Sequence, residues 1–137
     1  MADQLPLNEL REACYGALGS LSFPVRDSRA TDQDFPYSHF GVNALEANRN
    51  KALFVSWLLS QEFHFWSTYD GAKEQHANVN ELLLALDNAV LPAGWKFTTP
   101  TDKFNVVGFV AFDEEDEDST VVRHSVLTVQ THVQPVP

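Results

Sequence analysis

Five histidines, a single cysteine and an unbroken acidic run, Asp113-Glu114-Glu115-Asp116-Glu117-Asp118, are the residues of this chain with obvious chemistry to offer. Their spacing narrows what they can do. Metal ligands must converge within a few ångströms, yet there is no His-x-x-x-His and no Cys-x-x-Cys. His124 and His132 share one predicted strand and would stand about 26 Å apart, too far for a common ion. Cys14 falls on the apolar stripe of a predicted helix, where a thiol behaves as a small hydrophobe and has no base beside it in sequence. The acidic run lacks the alternating ligands and glycine of a calcium loop, so it reads as a solvated, self-repelling hairpin tip. There is no Gly-x-Ser-x-Gly, no glycine-rich phosphate loop and no His-Glu-x-x-His. The expectation is a protein without catalysis, metal or cofactor. Only Glu62 and His64 lie embedded among apolar residues, and His64 is a candidate contact for a partner.

The element that positions those two residues is the most distinctive in the chain. Leu53, Val55, Trp57, Leu59, Phe63, Phe65 and Tyr69 alternate with Ser56, Ser60, Glu62, His64 and Thr68, the period of a strand packed on one face and wet on the other. Fully extended, it would run roughly 50 Å at ~3.3 Å per residue, longer than a usual strand. It should bend or reach past its own core, and a strand that overhangs tends to find a partner. Trp57, Phe63, Phe65 and Trp66 read as core, with an aromatic ligand cavity as the competing reading.

Around it, Leu7, Leu10, Cys14, Leu18 and Leu21 predict a helix from about Pro6 to Leu18. Phe23-Pro24-Val25-Arg26 reads as a short strand, Asp27 to Asp34 as a loop, and Tyr37 to Val42 as a second strand. Asn43 to Asn50 is polar and reads as a surface loop or hairpin arm. After the long strand, Asp70 is placed to cap a second helix whose buried stripe would be Ala72, Val79, Leu83, Leu86 and Val90, stopped by Pro92 and Gly94. Trp95 to Thr99, Phe104 to Phe112 and Thr120 to Val133 read as strands, the last with Arg123, His124, Thr128 and Gln130 on its polar face. This order predicts an α+β fold, two helices on a mostly antiparallel sheet, in a single domain spanning residues 1–137.

Composition bounds the function. A chain of 137 residues that is 44% hydrophobic and carries three tryptophans and ten phenylalanines can bury a core. One cysteine allows no internal disulfide, which suits a reducing compartment. The opening Met1-Ala2-Asp3-Gln4 lacks the features of a signal peptide, and no apolar run approaches the ~20 residues of a membrane helix. These read as a protein that is neither exported nor membrane-bound. A formal charge of −10 argues against a nucleic-acid footprint, and of the scattered bases only Arg49 and Lys51 lie close together.

The order Phe23-Pro24-Val25, Asp34-Phe35-Pro36-Tyr37, Gly41, a long strand containing Glu62, then Trp66-Ser67-x-x-x-Gly71 and a helix with Leu82, Leu83 and Leu86 resembles the tail-completion family of long-tailed bacteriophages. Its members are tail terminators, or tail-to-head joining proteins, and the likeness runs over roughly residues 8 to 133. Two features depart from it: the uninterrupted acidic run, where a shorter turn with glycine is expected, and the longer Thr98-Thr99-Pro100-Thr101 approach.

The resemblance implies a structural virion protein at the head-proximal end of the tail, assembled in the host cytoplasm. Copies would form a ring, implied to be hexameric, that caps the tail tube protein and offers its other face to a head–tail connector or neck protein. DNA would pass through without specific binding. On this reading Asn43, Asn48, Arg49, Asn50, Trp57 and His64 are candidate subunit-interface residues, and Asp113, Glu114, Glu115, Asp116, Glu117 and Asp118 a loop facing the lumen or a partner. The alternative is a small α+β ligand-binding or enzyme domain with an aromatic-lined cavity.

Overall fold

A computed structural model describes residues 6–26, 36–49, 55–68, 71–115 and 121–136. The chain folds as α1 (Leu7–Leu18), β1 (Val25–Arg26), β2 (Tyr37–Arg49), β3 (Val55–Thr68), α2 (Ala72–Leu86), β4 (Trp95–Phe97), β5 (Asn105–Glu115) and β6 (Val121–Pro135). The expected α+β class holds. Six strands form one sheet in the order β1-β2-β3-β6-β4, with β5 also paired to β6, and every pairing is antiparallel except β1 with β2.

The alternation in β3 does what a period of two dictates. Trp57, Leu59, Phe63 and Phe65 are buried on the face that receives the helices, with Trp57 opposite Val133 and Phe63 opposite Leu127 of β6. Leu10, Ala13, Cys14 and Leu18 of α1 and Val79, Leu82 and Leu86 of α2 close this core. Burial pushes the Cys14 thiol up to about 12, the behaviour of an apolar filler.

Several boundaries differ from the sequence-based expectation. Asn43 to Arg49 continues β2 as a strand paired antiparallel to β3, the hairpin arm rather than the surface loop of the two expected forms, because pairing supplies the backbone partners that its side chains do not advertise. Lys51–Phe54, Tyr69 and Asp70 lie outside the described residues. The buried stripe of α2 is Gln75, Asn78, Val79, Leu82 and Leu86, whereas Leu83 is half-buried and Val90 exposed. The helix ends at Leu86, ahead of Pro92, and the Lys103 ammonium donates to the carbonyls of Asp87 and Ala89 just beyond it, the place where a cation suits a helix dipole.

The Trp66-Ser67-x-x-x-Gly71 spacing also gains a physical reason. A Cβ at position 71 would lie 3.1 Å from both Ser67 Oγ and the Thr68 carbonyl oxygen, so the turn into α2 approaches β3 so closely that any side chain there would push its neighbours by a few tenths of an ångström. One helical turn on, the buried Gln75 Nε2 donates to Ser67 Oγ, the Phe65 carbonyl and the Arg123 carbonyl at 3.1 to 3.2 Å. It pins α2 across β3 and β6.

Candidate functional site

The sheet face away from the helices carries a second cluster that the sequence did not disclose. Cross-strand register places His39 opposite His64, Trp66 opposite His124, and His124 opposite Phe112, so β2, β3, β6 and β5 each send a ring to one patch. Trp66 is only 3% exposed there, packed with buried Val122. Its indole lies nearly parallel to the His124 ring at 3.9 Å, and Phe112 meets the same imidazole edge-on at 4.6 Å. The indole N–H donates to His39 Nδ1 at 3.0 Å, which makes that nitrogen an acceptor, and His39 in turn stacks on His64 at 4.6 Å.

Polar atoms within the patch are arranged end to end. His64 Nδ1 and His124 Nε2 are 2.7 Å apart, so one ring donates and the other accepts. At the outer ends, His64 Nε2 lies 3.2 Å from Glu62 Oε1, and His124 Nδ1 lies 3.2 Å from Glu114 Oε1 without the alignment of a hydrogen bond. Direct contact of the two imidazoles leaves no space for an ion between them. Among the described residues, no three histidine, cysteine or acidic side chains are placed to hold a metal. His124, expected on a wet polar face, is buried instead because Trp66 and Phe112 cover it.

The residues singled out from sequence are scattered over this frame. His64 is half-buried at the centre of the patch. Trp57 is 7% exposed in the helix-side core. Asn43, Asn48 and Arg49 are backbone members of β2, while Asn50 lies outside the described residues. Asp113, Glu114 and Glu115 extend β5, with Asp113 3.9 Å from Arg123, and Asp116, Glu117 and Asp118 lie outside the described residues.

Sequence reasoning passed over the exposed apolar surface of β5. Val106, Val107, Phe109, Val110 and Phe112 are each at least 39% exposed, on a strand whose register puts Phe109 on the helix side and Val110 and Phe112 on the other. The signal was legible: Val106-Val107-Gly108-Phe109-Val110-Ala111-Phe112 does not alternate, the pattern of a strand covered on both faces. Two surface hollows open on the molecule, of about 520 Å³ beside Thr68, Gly71, Lys73 and Glu74 and about 440 Å³ beside Tyr15, Ser22 and Arg26, where the Ser22 hydroxyl donates to Glu81 at 2.7 Å. No helix among the described residues is long and apolar enough to cross a membrane.

Fold and surface together define an α+β protein with its helices on one face of the sheet, a small aromatic–histidine core on the other, and an apolar edge strand. No family model matches the chain, and no curated protein matches it in sequence. Its fold is similar to that of a chain in a solved structure described as the virion of a native gene transfer agent particle, with a TM-score of 0.66 and 13% identical residues. The match covers 96% of this chain and 99% of that one, so the whole architecture is shared rather than one motif.

Proposed function

We propose that this chain is a non-enzymatic structural protein of a phage-like virion, forming a ring, hexameric by the tail-completion resemblance, that ends tail-tube assembly and joins the tail to the head or neck. The observation that carries the reading is the end-to-end fold match to a chain of a virion particle. The apolar edge strand supports it, because a strand that exposes apolar side chains on both faces among the described residues suits a protein that works in an assembly. Its partners on this reading are further copies of itself, a tail tube protein and a connector or neck protein, with DNA passing through the ring. The acidic end of β5 fits a channel wall that repels a moving polyanion.

Native mass spectrometry and negative-stain microscopy of the purified protein test the ring. The expected result is a particle of six times the 15.4 kDa protomer, with a central hole. A protein that stays monomeric at micromolar concentration, alone and with tail tubes, would refute it.

A further inference from the structure

The two long edges of the sheet are fitted to each other. On one side, β1 pairs with β2 only at Ser38 and His39, so from Phe40 to Arg49 no described strand covers the outer edge of β2. On the other side, β5 pairs with β6 alone. Following the register across the sheet puts Phe40, Phe63, Leu127 and Phe109 in one row, and Asn43, Gln61, Val129 and Val106 in another. The edges therefore stand at the same height and run in opposite directions, as antiparallel pairing requires.

Their irregularities match as well. β2 carries an extra residue between Phe40 and Asn43, and β5 carries one between Val106 and Gly108, at the same level of the sheet. Each bulge alone would break pairing with a regular strand. Facing one another they cancel: from His39 to Ala44, every step along β2 is met by one step along β5, from Val110 back to Asn105. The edges are in better register with each other than either is with its own inner neighbour.

We infer that copies of this chain join head to tail by continuing the sheet, with β5 of one copy hydrogen-bonded along β2 of the next from Phe40 to Ala44. This rests on the ring reading and names its seam. Such a contact is heterologous, the kind that closes into a ring. It gives the free backbone groups on the outer edge of β5 their partners, and β5 from Asn105 to Phe112 has no proline or charge to block pairing. β1 already occupies the outer edge of β2 at Ser38 and His39, so β5 leaves the paired stretch beyond Phe109 and carries its acidic end past the seam.

The test is a disulfide at one register position. Asn43→Cys and Val106→Cys in the same chain would face each other only across the seam, at the Cα separation of an antiparallel pair, about 4.5 to 5.5 Å, within disulfide range. Native Cys14 is buried and stays out of the exchange. The expected result is a ladder of covalent multimers on oxidation, absent when Val106→Cys is replaced by Val110→Cys, which shifts the partner about 13 Å. Val106→Lys, on an exposed side chain, should raise the concentration needed for assembly about tenfold or more while leaving the circular dichroism spectrum unchanged. A ring of full mass that never forms the 43–106 link would overturn the seam and leave the ring standing, with the β5 edge then serving another protein. A monomer under all conditions would overturn both.

Discussion

Replacing Trp66 by alanine should destabilise the protein by about 4 kcal/mol, although this residue lies on the side of the sheet away from the helices. The indole is 3% exposed. A tryptophan buries 150–250 Å², worth about 4 to 6 kcal/mol as an upper bound at ~25 cal/mol per Å², and large-to-small changes at buried aromatics cost about 3 to 5 kcal/mol. The stack on His124 at 3.9 Å and the N–H donated to His39 Nδ1 at 3.0 Å disappear with it. For a chain of this size each kcal/mol corresponds to roughly 3 to 5 °C, so the melting temperature should fall by about 12 to 20 °C. Trp66→Phe keeps most of the ring and loses mainly the donor to a buried acceptor, so it should cost about 1 to 3 kcal/mol. Urea unfolding followed by circular dichroism, at concentrations too low for assembly, measures both without adding the free energy of association. A loss below about 1 kcal/mol for the alanine variant would show that the aromatic–histidine patch is not a second core.

Gly71→Ala should destabilise by about 1 kcal/mol or more, because the new methyl meets Ser67 Oγ and the Thr68 carbonyl at 3.1 Å; a neutral result in thermal melts would show that the turn relaxes freely. Cys14 ionises near 9 when exposed and near 12 when buried, so its stabilising contribution is complete below pH 9 and is lost as the pH rises towards 12, at roughly 1.4 kcal/mol per pH unit. Denaturation between pH 8 and 11 should therefore be less steep in pH for Cys14→Ala than for the natural chain, and parallel curves would contradict the burial argument. Converting Asp113 to Asp118 into Asn and Gln should leave rings intact but slow DNA ejection if about 36 carboxylates line the channel. Defective head–tail joining with normal ejection would assign the run to a partner instead.

The elements were legible where the chain follows one period over many residues. The alternation from Trp57 to Phe65 and the stripe Leu10, Cys14, Leu18 led directly to β3 and α1, because burial on one face imposes those spacings. Asn43 to Arg49 left a loop and a hairpin arm both open, because polar residues in an edge strand carry little sign of strand and hydrogen bonds to a neighbour decide their conformation. The patch on the open face was hidden for a different reason. His39, His64 and His124 are far apart in sequence, and only the register of β2, β3 and β6 brings them together. Gln75 is similar: a glutamine on a helix reads as solvent-facing until its three acceptors on β3 and β6 are known.

Charge placement bears on how copies of so acidic a chain could associate. Each carries a formal −10, and identical copies repel through the whole field. The stretch of β5 that would pair, Asn105 to Phe109, contains no acid, whereas Asp113, Glu114 and Glu115 stand together at the far end of the strand. Repulsion across the seam is then confined to one end, where screening by salt acts over about 8 to 10 Å and water reaches the carboxylates. The paired stretch itself contributes backbone hydrogen bonds and apolar cover, neither of which depends on net charge. Had the acids been interleaved with Val106, Phe109 and Val110, they would have solubilised the edge and prevented its use, as charged edge residues do in sheets that stay single. On the proposed seam, the separation of apolar edge from acidic end would let one strand do two things: join a copy beside it and hold a negative surface beyond the joint.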